Sequence, residues 1–249
     1  MRGKFAIMAV SKSVGRLAVD VGGTFTDVAL EYGGTQVTTK VLTTPASPEL
    51  GVLSGITKAL DESGLAPSDI DILIHGTTLA TNALIERKGA KVALITTEGL
   101  RDSVEMAQEN RFDQYDINID RPTPLVPRYL RWGVRERLNV HGKALIPLAE
   151  DSVTKLIPDI DRFEITAVAI GLIHSYANSM HEERVAEILS KARPELSITL
   201  SSEVCPEIRE YERQSTASAN AYVQPMMSRY LRELDSQLTK LGFNCPFLL

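Results

Sequence analysis

Apolar residues along this chain fall into short blocks of two kinds, and the spacing within each block predicts an element. Residues 16–20 (RLAVD), 26–32 (TDVALEY) and 36–43 are extended runs separated by Gly22-Gly23 and Gly33-Gly34. They predict three strands joined by tight turns, an antiparallel meander. The period then changes: Leu50, Leu53, Ile56 and Leu60 recur at helical spacing over 48–63, and Gly64 follows where a helix C-cap belongs. Strand and helix alternate from there: strand 71–75 (DILIH), helix 80–87 and strand 91–96 (KVALIT). A proline-rich connection at 122–127 follows, then a strand near 131–138, a helix from Asp151, strand 167–172, helix 181–193 and strand 197–201. The last long segment, 206–241, is helical in pattern with Pro225 inside it. Because proline lacks the N–H and clashes with the preceding turn, two helices meeting near Gln224 are expected. A meander followed by alternating strands and helices predicts an α/β fold with a mixed sheet covered by helices.

Composition narrows the class. The 249 residues, 43% hydrophobic and 24% charged, are enough to bury a real core in one large domain or two small ones. The net charge of −5 and the absence of any Lys/Arg-dense segment argue against nucleic-acid and anionic-membrane partners. Two cysteines, Cys205 and Cys245, make no disulfide framework, and a reducing, cytoplasmic setting is expected. Residues 1–14 carry too short an apolar run for a secretory signal and are read as a disordered leader. No apolar stretch approaches the roughly 20 residues of a membrane span.

The chemistry-bearing segment is Asp20-Val21-Gly22-Gly23-Thr24-Phe25-Thr26-Asp27. Two glycines between strands let the backbone turn tightly and bring N–H groups close to a ligand, while the Thr24 and Thr26 hydroxyls are placed to donate to phosphate oxygens. Asp20, at the end of a buried strand, is placed to hold a hydrated Mg²⁺, which prefers one or two carboxylates and keeps its waters. Asp27 lies across the turn. A bare Gly-Gly hairpin is more often an ordinary turn with surface threonines, so the pattern alone leaves both readings open. A second candidate is the strand end His75-Gly76-Thr77-Thr78 with Asn82 on the next helix, at the carboxyl end of a sheet strand where α/β ligands usually bind. His75 would orient a phosphate or a substrate carbonyl, or be a satisfied strand-end histidine with turn and cap residues around it.

Several other schemes are missing. The chain has no P-loop pattern, no dinucleotide glycine fingerprint, no His-Glu-x-x-His and no nucleophile elbow. Among weaker candidates, the charged string at 209–213 (REYER) reads as a solvated helix face. His174, His181, Glu182 and Glu183 read as surface groups and a helix N-terminus. Cys205 reads as a small hydrophobe, and Trp132 with its neighbouring arginines as an amphipathic edge or subunit contact.

The segment Asp-x-Gly-Gly-Thr-x-Thr-Asp after a buried strand resembles the first phosphate motif of the actin and sugar-kinase ATPase superfamily. Five strings in order resemble the hydantoinase A/5-oxoprolinase family: RLAVDVGGTFTDVAL, then HGTTLATNAL from His75, ITTEGLRD (95–102), RPTPLVPR (121–128) and REYER. That family includes N-methylhydantoinases, 5-oxoprolinases and ketone carboxylase subunits. The resemblance implies an actin-like, ribonuclease H-like ATPase lobe over 15–200 and the start of the family's core region over 201–249. It implies ATP and Mg²⁺ as cofactors, a cyclic-amide substrate, and a homo-oligomer or a partner subunit. Phosphoryl transfer to a lactam carbonyl would precede hydrolytic ring opening, chemistry that depends on positioning and charge rather than a protein nucleophile. In that scheme Asp20 serves the Mg²⁺ shell and catalysis together with His75. Gly22, Gly23, Thr24, Thr26, Asp27, Gly76, Thr77, Thr78 and Asn82 bind nucleotide and phosphate or shape that site. No second Asp-x-Gly-Gly-Thr follows residue 27, so the ATP site is expected to be completed by a further lobe or another chain. A non-catalytic nucleotide-binding or scaffold role in a ketone-carboxylase-like complex, or a sugar- or acyl-kinase-like ATPase, would use the same hairpin.

Overall fold

The computed structural model describes residues 14–108, 115–118 and 122–249; most of the expected leader and Arg121 lie outside them. The chain forms two compact units, one of Met1–Asn82 with Ser228–Leu249 and one of Ala83–Met227. The chain leaves the first unit after Asn82 and returns to it at Ser228, so that unit is discontinuous in sequence.

Unit 1 opens with the expected meander, β1 (Arg16–Val21), β2 (Phe25–Tyr32) and β3 (Thr35–Leu42), followed by helix α1 (Pro48–Ser63) and strand β4 (Ile72–Thr77). Short helix α2 (Leu79–Ile85) begins in this unit. β1, β2 and β3 pair antiparallel, β4 runs parallel to β1, and the final strand of the chain, Phe247–Leu248, pairs parallel with β4. The result is a five-stranded mixed sheet, the actin-like α/β architecture read from the sequence. Burial alternates along β1 and β2, so Leu17, Val19, Val28 and Leu30 share one covered face while the other stays open. The second turn needs its glycines, since Gly33 and Gly34 both take left-handed φ, 57° and 83°.

Helix α1 ends as expected, with Gly64 at φ 71° donating its N–H to the Leu60 carbonyl at 2.9 Å. Its buried stripe keeps Ile56 and Leu60 of the expected positions but not Leu50. Gly51, Val52, Gly55, Ile56, Ala59 and Leu60 are buried, whereas Leu50 is exposed. The glycines explain the shift: a Cβ on Gly55 would stand 2.7 Å from Val28 Cγ2, so the helix approaches β2 along its small residues.

Unit 2 contains β5 (Val92–Thr97), α3 (Ser103–Met106), β6 (Arg131–Val134), β7 (Arg137–Leu138) and β8 (Ala144–Ile146). These are followed by α4 (Glu150–Thr154), α5 (Ile157–Arg162), β9 (Ala167–Gly171), α6 (Met180–Ala192), β10 (Ser197–Leu200) and α7 (Ser201–Val204). The four-stranded sheet runs β10-β9-β5-β6 and is parallel throughout. Every residue of β5 and β9 is buried, as expected where helices cover both faces. The expected strand over 131–138 is interrupted at Arg135, whose N–H goes to Ser152 Oγ at 3.1 Å, and β7 then pairs only with β8.

Helix α8 (Glu210–Leu241) is continuous over 32 residues with Pro225 inside it, in place of the two helices expected. Side-chain contacts hold it through the proline. Gln224 Oε1 accepts from Ser197 Oγ at 3.0 Å and Thr199 Oγ1 at 3.2 Å, and Ala217, Ala221 and Tyr222 are buried, offsetting one lost backbone bond. The last strand is β11 (Phe247–Leu248). No described helix is long and apolar enough to cross a membrane.

Candidate functional site

The link between β1 and β2 is Gly22-Gly23-Thr24. The Gly22 N–H donates to the Phe25 carbonyl at 2.9 Å and closes the turn. Thr43, just past β3, holds the turn from behind: its hydroxyl donates to the Gly22 carbonyl at 3.0 Å and its N–H to the Thr24 carbonyl at 2.9 Å. The N–H groups of Gly23 and Thr24 donate to no acceptor among the described residues, and both residues are exposed. Adjacent unpaired N–H groups on a fixed turn are a ready anion cradle. Neither Gly22 nor Gly23 has the left-handed φ expected of a tight glycine turn. Gly22 is needed for clearance, since a Cβ there would stand 3.1 Å from the Phe25 carbonyl oxygen, whereas a Cβ on Gly23 would make only a 3.4 Å contact with Asn82 Nδ2.

The turn after β4 lies against this hairpin. Thr78 donates to the Val21 carbonyl from its N–H at 3.1 Å and its hydroxyl at 3.3 Å. Thr77 Oγ1 accepts the Leu79 N–H at 3.2 Å, and Asn82 Nδ2 donates to Thr78 Oγ1 at 3.4 Å. Thus Gly22, Gly23, Thr24, Thr77, Thr78 and Asn82 form one group.

Asp20 and Asp27 oppose each other across β1 and β2 on the open face, with Gly76 beside Asp20 on β4. They line a shallow depression of about 400 Å³ with Ala18, Ala29 and Ile74. A Cβ on Gly76 would stand 3.1 Å from Asp20 Oδ1, so this glycine leaves the carboxylate room. Asp27 pairs with Lys40 at 3.0 Å, while Asp20 has no hydrogen bond or ion pair among the described residues. No group of three or more His, Cys, Asp or Glu among the described residues could hold a metal ion. A single exposed carboxylate is a ligand of the kind a hydrated Mg²⁺ takes.

Two of the expected site residues do not join this group. His75 neighbours Val19 in register and shares its buried face, opposite Asp20 and Gly76. Its Nε2 lies 2.9 Å from the Tyr230 hydroxyl, and its ring packs near Tyr230 and Phe247. Burial holds its pKa below the ordinary imidazole range, against the smaller opposing effects of the Asp20 charge and the Val19 backbone. Burial likewise raises the Tyr230 phenol, so both groups are neutral and Tyr230 can donate to the imidazole. Thr26 is fully buried with its hydroxyl 3.0 Å from that of Thr43, so its side chain packs inside the hairpin, away from the exposed rim.

Sequence reasoning missed Thr43 and Tyr230. Only the β2–β3 register brings Thr43 behind the turn, and Tyr230 lies 155 positions from His75. Unit 2 also departs from expectation. His181, Glu182 and Arg213, read as surface groups, are buried. His181 Nδ1 lies 2.7 Å from Glu136 Oε2, and Arg213 donates to the Glu207 and Leu172 carbonyls at 2.8 and 3.0 Å.

Comparison with known proteins places this geometry among relatives. Residues 16–193 match the family described as the hydantoinase/oxoprolinase N-terminal region. The chain is 36% identical over 244 residues to the caprolactamase subunit alpha of Pseudomonas jessenii, covering 95% of this chain and 35% of that protein. It is 33% identical over 255 residues to the acetophenone carboxylase gamma subunit of Aromatoleum aromaticum, covering 95% of this chain and 35% of that protein. The crystal structure of the ATP-dependent caprolactamase from Pseudomonas jessenii superposes with a TM-score of 0.84 over 93% of this chain and 35% of its own. The chain therefore spans about a third of the length of these relatives.

Proposed function

Because the chain belongs to the hydantoinase/oxoprolinase family through its N-terminal region, we propose that unit 1 is the phosphate-binding lobe of an ATP-dependent enzyme that opens cyclic amides. The observation that carries this is the pair of N–H groups at Gly23 and Thr24 that have no acceptor among the described residues, on the turn that follows Asp20, whose carboxylate likewise has no hydrogen bond or ion pair among them. The ATP-dependent caprolactamase from Pseudomonas jessenii, to which this chain is similar, supports the choice of nucleotide and of reaction class. In this reading Gly23 and Thr24 donate to phosphate oxygens, Asn82 and the Thr24 hydroxyl add donors at the rim, and Asp20 positions the waters around Mg²⁺. Bound there, the nucleotide would supply a phosphoryl group to the lactam carbonyl oxygen and leave as ADP; water adding at the activated carbon would then break the ring C–N bond, its electron pair and a proton going to the nitrogen, and a second water would release inorganic phosphate from the remaining acyl phosphate. The lobe's share of catalysis is positioning and charge, which suits phosphoryl transfer. Several relatives are named as subunits, which supports assembly with further protein that completes the site.

Gly23→Val tests the assignment. The fold has room there, so the unfolding free energy changes by less than about 1 kcal/mol, while the branched side chain blocks close approach of phosphate. Calorimetry on the assembly with the protein that completes the site is expected to show ATP binding with the wild-type chain and none with the variant. Equal affinity in a folded variant removes the hairpin from the site.

A further inference from the structure

The Thr26 hydroxyl belongs to the Gly-Gly-Thr segment by sequence yet lies away from its rim, and what it touches gives it a role. Its oxygen lies 3.0 Å from Thr43 Oγ1, which in turn donates to the Gly22 carbonyl at 3.0 Å. A threonine hydroxyl has a single proton to give. With that of Thr43 committed to Gly22, Thr26 is the donor of the pair, and the relay runs from Thr26 through Thr43 to the Gly22 carbonyl. Thr26 and Thr43 are both buried. Helix α1 closes over Thr26 at Gly51, where a Cβ would stand 3.6 Å from Thr26 Oγ1 and 3.3 Å from the Leu42 carbonyl oxygen. Hydrogen bonds linked in series in such surroundings polarise one another.

The relay ends on the peptide that carries half of the cradle. The Gly22 carbonyl and the Gly23 N–H belong to one planar unit and, with no cis peptide bond among the described residues, point in opposite directions. Holding the carbonyl toward Thr43 therefore turns the Gly23 N–H outward. No backbone N–H reaches the Gly22 carbonyl among the described residues, so the Thr43 hydroxyl is what holds it. The residues on either side of this peptide are both glycine, and glycine accepts the backbone angles of either orientation of the plane. A flipped plane would present a carbonyl oxygen to the ligand and repel an anion. Thr43 fixes the far side of the turn as well, since its N–H donates to the Thr24 carbonyl at 2.9 Å.

We propose that Thr43, with Thr26 behind it, positions the anion cradle: the two hydroxyls hold the Gly22-Gly23 peptide with its N–H toward the ligand and, by polarising the carbonyl, strengthen that N–H as a donor to phosphate. The inference rests on the phosphate-lobe reading of unit 1 and adds the two residues that set its geometry without touching the nucleotide. It gives the buried Thr26 hydroxyl a purpose that packing alone does not require, because burying a hydroxyl is unfavourable unless it is bonded.

Thr43→Val and Thr26→Val keep the branched shape and remove one hydroxyl each. Amide proton–nitrogen NMR spectra of the 249-residue chain read the Gly23 N–H without nucleotide, and calorimetry with Mg-ATP on the assembly with the protein that completes the site reads binding. In Thr43→Val the Gly23 resonance is expected to move and broaden, and ATP affinity to fall about tenfold or more. Thr43→Ser, which keeps the hydroxyl, restores both. Thr26→Val acts less strongly in the same direction, and the double variant is no weaker than Thr43→Val alone, because Thr26 acts only through Thr43. Thr39→Val is the control for losing a buried hydroxyl bond: Thr39 Oγ1 donates to the Gly55 carbonyl at 3.1 Å, so this variant melts earlier but leaves the Gly23 resonance and ATP affinity unchanged. Thermal melts establish that each variant is folded, and Thr43→Ala replaces Thr43→Val if the latter is not. An unmoved Gly23 resonance without the Thr43 hydroxyl, ATP affinity equal to wild type in that variant while Gly23→Val binds none, additive losses in the double variant, or equal weakening by Thr39→Val would each overturn the inference. ATP affinity that neither Gly23→Val nor Thr43→Val alters, with the Gly23 resonance still moved by Thr43→Val, sinks the phosphate reading and leaves the relay as what orients the peptide.

Discussion

Unit 1 leaves one face of its sheet open, whereas unit 2 buries both faces of its central strands, and polar residues behave differently in the two settings. Along β1 every second side chain is exposed, so Asp20 projects from a well-packed strand without a partner among the described residues. At the ends of β5 and β9 the polar groups are enclosed and matched. Glu182 accepts from Leu172 N–H at 2.8 Å and Ser201 Oγ at 2.7 Å with one oxygen. Its other oxygen accepts from Ser202 N–H at 2.9 Å and Ser202 Oγ at 2.8 Å. Glu136 takes the Thr97 hydroxyl and His181. Carboxylates look alike in sequence; a saturated one is scaffold, and an unmatched one on an open face is available to a ligand.

The largest expected effect comes from breaking a matched group. Glu182→Ala leaves the Leu172 and Ser202 N–H groups and two serine hydroxyls without their acceptor in a buried site. A loss of about 3–5 kcal/mol in unfolding free energy is expected. Urea denaturation measures it, and a loss under about 1 kcal/mol would mean that the unit 2 network is not the scaffold described here.

Much of this contrast was legible in the sequence, and the part that was not has a common cause. The meander, the turn glycines, the Gly64 cap and the uninterrupted apolar runs of β5 and β9 follow from local periodicity. The hairpin group also follows, because its members lie within two short strings. The discontinuity of unit 1, the passage of α8 through Pro225 and the burial of Arg213 depend on contacts between distant segments, which periodicity does not carry. Charged residues at a helix start read as solvated by default, yet Arg213 finds carbonyls at 172 and 207 to pair with. His75 was legible as a strand-end residue, but which face it took was decided by the alternation that begins at Leu17 and by Tyr230.

A smaller effect concerns His75, which belongs to the matched class although it lies in unit 1. Folding lowers its pKa from the ordinary value of 6.5, so the unfolded chain binds the proton more tightly. Its contribution is therefore complete above about pH 6.5 and is lost as pH falls from there toward the depressed folded value. His75→Gln removes the titration while keeping an acceptor for Tyr230, and is expected to cost about 1 kcal/mol at pH 8. The gap between wild type and variant should narrow as the pH falls below 6.5. Melting curves across pH 5–8 in which the gap stays constant would show that His75 does not titrate with folding, and would remove it from the matched class.

The smallest expected effect on stability is at Asp20. Its carboxylate faces Asp27 across the strand pair and has no compensating partner among the described residues, since Lys40 serves Asp27. Like charges directly opposite are unfavourable, so Asp20→Asn should leave stability unchanged or raise it by up to about 0.5 kcal/mol. The functional consequence runs the other way. If Asp20 positions the waters of Mg²⁺, the gain in ATP affinity on adding the metal shrinks in the variant, while affinity for metal-free ATP rises because a negative charge near the phosphates is gone. Parallel titrations with Mg²⁺ and with a chelator separate the two effects. A destabilisation above about 1 kcal/mol would place Asp20 among the matched groups, and an undiminished response to Mg²⁺ would leave the open face of unit 1 without its metal-directed residue.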